Sequence, residues 1–131
     1  MISLVLISHS FKIVEGIKEL VEQLVQGKVK VLASGGLDEY TIGTNVERIY
    51  NSLMEAKNPD GILVLVDLGS SVLSTEAAID MLPEEDRKLV KISNAPLVEG
   101  AVIASIEASI GSDLEKTNKA AEDAKKLNKL D

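Results

Sequence analysis

Two short, solid apolar runs constrain the fold more than any other feature. Ile2 to Ile7 is interrupted only by Ser3, and Ile62 to Val66 is not interrupted at all. Side chains of a strand alternate across the sheet, so a strand can be apolar throughout only when both faces are covered. These runs therefore predict central strands of a parallel sheet with helices on either side. The intervening segments carry helical periodicity. Val14, Ile17, Leu20, Val21, Leu24 and Val25 recur on one helical face, with Gly27 as the stop. Val29 to Ala33 reads as a second strand, broken by Gly35-Gly36. Residues 43 to 57 predict a helix with Val46, Ile49, Leu53 and Met54 on one face, and Asn58-Pro59-Asp60-Gly61 predicts a turn. Gly69-Ser70-Ser71 opens a helix running to about Leu82. Pro83 and the charged residues Glu84 to Lys88 read as a loop, and Leu89 to Ile92 as a fourth strand. Pro96 stands near the start of a helix that Gly111 ends, and Asp113 caps a last, highly charged helix. The order β-α-β-α-β-α-β-α-α predicts an α/β fold. It is an open, mostly parallel four-stranded sheet in the order 2-1-3-4, with helices on both faces as a three-layer sandwich. No linker or repeat divides it, so residues 1–131 are expected to form one domain.

Composition narrows the function. The net charge of -7 opposes binding to nucleic acid or to an anionic membrane surface, both of which call for clustered Lys and Arg. A basic protein patch is the natural docking partner of such a chain. There is no cysteine, which excludes disulfides, thiolate catalysis and Cys-ligated metal. With one histidine, a zinc site is not expected, and neither a metal nor a cofactor is implied. Aromatic residues make up only 2% of the chain, leaving little to stack a flavin ring. No Walker A sequence, G-x-G-x-x-G or G-x-S-x-G is present. The apolar start lacks a basic flank and a small-residue cleavage site, and no run is long enough to span a bilayer. A cytoplasmic location is expected.

Open parallel sheets place their working residues beyond the carboxyl ends of the strands, where strand order reverses. In the order 2-1-3-4 that point lies between the first and third strands. Ser8-His9-Ser10 follows the first and Asp67-Leu68-Gly69-Ser70-Ser71 follows the third, so His9 and Asp67 are expected to meet. A neutral imidazole offers one lone pair and titrates near operating pH. If Asp67 accepts a hydrogen bond from one ring nitrogen, the other is the nucleophile, and the carboxylate stabilises the charge that develops on attack. The backbone N–H groups of Gly69, Ser70 and Ser71 at a helix start offer a phosphate cradle, to which the hydroxyls of Ser8 and Ser10 add donors. Plainer readings exist: Asp67 as a helix cap, Gly35-Gly36 as an ordinary turn, His9 as a structural residue.

Several blocks then carry a resemblance over nearly the whole chain. They are Val5-Leu6-Ile7-Ser8-His9-Ser10, Gly35-Gly36 with Ile42-Gly43-Thr44, Gly61 to Ser71 and Ala95 to Val102, of which the last two are the most specific. The chain resembles the phosphotransferase subunit of phosphoenolpyruvate-dependent dihydroxyacetone kinase, within the mannose-type enzyme IIA group of the bacterial phosphotransferase system. One departure is Asn45 after Thr44, where a small Ser is commoner; both side chains form hydrogen bonds. The resemblance implies that His9 accepts a phosphoryl group from phospho-HPr and passes it to ADP in the nucleotide-binding kinase subunit. It also implies that Asp67 orients His9 and that the protein is a homodimer working with separate partners. The alternatives are a mannose-type sugar-transport IIA domain and a non-catalytic regulatory module on the same fold. Ser8-His9-Ser10 and Ala95-Pro96-Leu97-Val98-Glu99-Gly100 favour the kinase subunit over the sugar transporter.

Overall fold

The computed structural model describes residues 1–130; Asp131, the last residue of the predicted domain, lies outside the described residues. The elements run β1 (Ser3–Ser8), α1 (Phe11–Val25), β2 (Val31–Gly35), α2 (Val46–Ala56), β3 (Ile62–Val66) and α3 (Gly69–Asp80). They continue with α4 (Glu84–Arg87), β4 (Val90–Ile92), α5 (Leu97–Ser109), α6 (Leu114–Asp123) and a 3-10 turn at Ala124–Lys126. The four strands lie in the order β2-β1-β3-β4. Every pairing is parallel, so the sheet is wholly rather than mostly parallel.

The solid apolar runs divide by parity into two cores. Leu4 and Leu6 of β1 and Leu63 and Leu65 of β3 face α1, α5 and α6, packing with Val14, Ile17, Val21, Ala101, Ala104 and Ala121. Val5 and Ile7 of β1 and Ile62, Val64 and Val66 of β3 face α2 and α3, packing with Ile49, Leu53 and Ala78. Each fully buried aliphatic side chain contributes roughly 1.5–3 kcal/mol. This is why neither strand tolerates a polar position along its centre. The Ala95 to Val102 block has a packing role. A Cβ at Gly100 would meet Ala95 Cβ at 2.7 Å and Leu65 Cδ2 at 3.0 Å, so α5 lies against the sheet only with glycine there.

Two segments differ from the sequence expectation. The second strand is Val31–Gly35, not Val29 to Ala33, because β1 pairs with it from Leu4↔Val31 to Ser8↔Gly35. Val29 is buried just before the strand, so its apolar character marks the core but not the ladder. Glu84 to Lys88, read as a loop, contains the single helical turn α4. The Asp86 and Arg87 N–H groups close onto the Pro83 carbonyl, and the buried Asp86 pairs with Lys57 at 2.9 Å. A charge run that reads as solvated thus holds one anchored carboxylate.

Candidate functional site

The site follows from strand register. Ile7 pairs with Val66, so the residues leaving β1 and β3 at their carboxyl ends emerge side by side. Asp67 lies between them and accepts from five donor groups. Its Oδ2 takes the Ser8 hydroxyl and the His9 backbone N–H, each at 2.9 Å. Its Oδ1 takes the Leu68 N–H at 2.7 Å and the Ser71 hydroxyl at 2.6 Å. The His9 Nδ1 stands 3.1 Å from both carboxylate oxygens. Burial alone would push the Asp67 carboxyl up. The donors from Ser71, the His9 backbone, Ser8 and the His9 ring outweigh it and hold the group down, at about 2.

This fixes the tautomer of the neutral imidazole. An ionised carboxylate only accepts, so Nδ1 carries the proton and donates it. In the neutral ring Nε2 then holds the lone pair. That atom lies 2.5 Å from the Ser70 hydroxyl. The His9 side chain is 23% exposed, so a reagent can reach its Nε2 edge while Asp67 stays behind it at 15%.

The start of α3 is not capped in the usual way. Its N-cap position is Leu68, with no side-chain hydrogen bond. Asp67 stands one residue earlier and takes only the Leu68 N–H of the helix-start backbone, its other bonds going to His9, Ser8 and the Ser71 hydroxyl. Among the described residues the N–H groups of Gly69 and Ser70 have no protein partner, whereas that of Ser71 is bonded to the Leu68 carbonyl at 3.0 Å. Of the three N–H groups expected to form a cradle, two are therefore without a protein partner and the third closes a tight local turn.

The serines beside His9 are also engaged differently from expectation. The Ser8 hydroxyl donates to Asp67 and accepts the Ser10 N–H at 3.0 Å. Ser10 is the N-cap of α1, its hydroxyl accepting from Ile13 at 3.4 Å. The Ser8 proton is thus committed to Asp67, while the Ser10 oxygen is committed to the helix start. Sequence reasoning also missed the bracing of this turn from β2. Gly43 N–H donates to the His9 carbonyl at 2.9 Å, Gly36 N–H to the Ser8 carbonyl at 3.2 Å, and Arg48 to the Gly35 carbonyl at 3.2 Å. A Cβ at Gly35 would fall 2.5 Å from the Ser10 carbonyl oxygen, so only glycine lets β2 end this close to the histidine turn. The Gly35-Gly36 pair was the available signal for that approach. Asn45 caps α2 by accepting the Arg48 N–H at 3.2 Å.

The chain is thus a parallel α/β protein with a carboxylate-oriented histidine at the switch point of its sheet. The chain belongs to the family described as the PTS system fructose IIA component, whose model matches residues 3–118. It is 37% identical to the phosphoryl donor subunit DhaM of PEP-dependent dihydroxyacetone kinase 2 from Listeria innocua, over 88% of this chain and 92% of that protein. It is 34% identical to the phosphotransferase subunit DhaM of the PTS-dependent dihydroxyacetone kinase from Lactococcus lactis, over 86% of each. The Escherichia coli phosphoryl donor subunit DhaM is 35% identical over 88% of this chain, which spans 25% of that longer protein. The crystal structure of the unknown-function protein EF1359 superposes with a TM-score of 0.84 at 35% identity, covering 94% of this chain and 95% of that one. No helix among the described residues is long and apolar enough to cross a membrane.

Proposed function

We propose that the protein is the phosphoryl donor subunit of a phosphoenolpyruvate-dependent dihydroxyacetone kinase, with residues 1–131 as one phosphocarrier domain. His9 Nε2 takes a phosphoryl group from phospho-HPr and passes it to ADP held in the nucleotide-binding kinase subunit. The observation that carries this reading is the division of labour at the imidazole: Nδ1 on an ionised carboxylate, Nε2 turned toward the open side of the site.

In the forward step the Nε2 lone pair attacks phosphorus, the donor's P–N bond breaks, and its electron pair returns to the donor's ring. Nδ1 keeps its proton. The positive charge that develops on the His9 ring is met by Asp67, which its own donors keep ionised. The unpaired N–H groups of Gly69 and Ser70, with the Ser70 hydroxyl, face the incoming phosphoryl oxygens. Ser71 and Ser8 serve the carboxylate and Ser10 holds the turn, so these three act through His9's orientation. Transfer onward to a nucleotide β-phosphate reverses the geometry and needs no further group from this chain. We place the protein in the cytoplasm as a homodimer, with its acidic surface meeting basic partner surfaces.

Incubation with phosphoenolpyruvate, enzyme I and HPr should add one acid-labile phosphate, seen by intact-mass spectrometry. His9→Ala should add none; a variant that labels like wild type overturns the assignment. ADP with the nucleotide-binding subunit should then discharge the loaded protein. Discharge instead to a sugar-transport component, with none to ADP, would favour the sugar-transport reading.

A further inference from the structure

We propose that the Ser70 hydroxyl is a two-position cap on the nucleophile: it donates to His9 Nε2 in the unphosphorylated protein and to a phosphoryl oxygen once Nε2 is phosphorylated. The inference rests on the function proposed above and concerns how that site is poised. Nδ1 is committed to Asp67, so in the neutral ring, the form that can act as nucleophile, the Nε2···Oγ contact at 2.5 Å has one arrangement of protons: Ser70 donates and Nε2 accepts. The Ser71 hydroxyl lies 3.3 Å from Nδ1, but its proton goes to Asp67 at 2.6 Å, so it does not compete for the ring.

The three serines at this helix start differ in freedom. Ser71 is fully buried with its hydroxyl on Asp67. The Ser74 hydroxyl is shared with Thr44 at 2.6 Å. Ser70 is exposed on the first turn of α3, and among the described residues the ring is the one side-chain partner of its hydroxyl. It can therefore leave by a simple χ1 rotation, a nanosecond event for an exposed side chain. It must leave, because the phosphorus has to occupy the space in front of Nε2 where Oγ now lies. The same rotation keeps the hydroxyl within reach of the phosphoryl oxygens, beside the unpaired N–H groups of Gly69 and Ser70. No proton leaves the hydroxyl or Nδ1 in this exchange. The P–N bond to the donor breaks, the P–Nε2 bond forms, and one hydrogen bond is traded for another. Phosphorylation then changes the number of hydrogen bonds made by Ser70 by zero, which keeps the carrier's loading equilibrium close to balance.

The test uses Ser70→Ala and Ser70→Thr in the full chain, with nitrogen-15 NMR of the imidazole and the loading equilibrium against phospho-HPr. In Ser70→Ala the Nε2 resonance of the unphosphorylated protein should move downfield, toward an unbonded lone pair, while the Nδ1–H signal stays. The phosphorus-31 resonance of the loaded protein should also move. Ser70→Thr, which keeps the hydroxyl, should restore both. The loading equilibrium of Ser70→Ala should change by less than about threefold. A hydroxyl that served only the phosphorylated form would shift it about tenfold against loading when removed. An unmoved Nε2 or phosphorus-31 resonance, or a tenfold shift in the equilibrium, overturns the proposal. If wild type never loads phosphate yet Nε2 moves in Ser70→Ala, the functional reading fails and the resting cap stands.

Discussion

The starts of α1 and α3 lie beside each other at the carboxyl end of the sheet, yet they are built differently. At α1, Ser10 is an ordinary N-cap whose hydroxyl takes a helix N–H. Asn45 and Asp113 do the same for α2 and α6. At α3 the N-cap position is Leu68, which has nothing to offer, and the nearest carboxylate, Asp67, is turned toward His9. A side-chain cap contributes about 1 kcal/mol. α4 and α5, which follow Pro83 and Pro96, also start without a side-chain cap, but the start of α3 is the one beside the imidazole, where two N–H groups stay unpaired and Asp67 is free to hold the ring. The capped helices α1 and α2 hold the histidine turn and its glycine brace in place.

The comparison can be broken hardest at Asp67. Asp67→Asn should slow phosphoryl loading by roughly 10–100-fold, the usual scale for losing a partner that orients a histidine. Stopped-flow or quench-flow loading from phospho-HPr measures it, and an unchanged rate would reduce Asp67 to a turn residue. The same carboxylate should show in acid. Its folded pKa, about 2, lies below the unfolded value near 3.9, so its contribution to stability is present above that value. The contribution should fade as the pH drops from about 4 to 2. Urea unfolding across that range should show a steeper loss for wild type than for Asp67→Asn.

Giving α3 the cap it lacks tests the difference from the other side. Leu68→Asn should raise stability by about 0.5–1 kcal/mol and slow loading severalfold, because the new amide oxygen occupies helix-start N–H groups. A variant more stable and equally fast would show that those groups do no work on the phosphoryl. The smallest expected effect is the control at α2. Asn45→Ala should cost about 1 kcal/mol in urea unfolding. It should slow phosphoryl loading by less than about twofold, since that side chain touches the brace of the histidine turn but none of His9, Asp67 and Ser70.

Much of this was readable before any coordinates. Ile2 to Ile7 and Ile62 to Val66 announced strands covered on both faces, and parity within them did the sorting into two cores. Strand order then brought the ends of β1 and β3 together, which is why His9 and Asp67 were expected to meet. Other parts were hidden for identifiable reasons. Val29 and Val31 are equally apolar, and only the register with β1 decides which of them starts the strand. Glu84 to Lys88 carries no apolar periodicity, so nothing local marks a helical turn whose anchor, Lys57, lies far away in sequence. Ser8, Ser10, Ser70 and Ser71 are chemically alike, and their separate duties depend on where each hydroxyl points.

The sequence by itself determined the layers, the strand order and which side chains meet where that order reverses. Burial is set by side-chain polarity, and polarity is written residue by residue. Only the tertiary structure decided which nitrogen of His9 is held and which is presented, which serine touches it, and that Asp67 turns to the ring rather than capping α3. Those outcomes depend on hydrogen bonds of 2.5–3.1 Å between groups about 60 positions apart in the chain. A hydrogen bond is lost with a displacement of less than an ångström, and no local pattern specifies distance that finely.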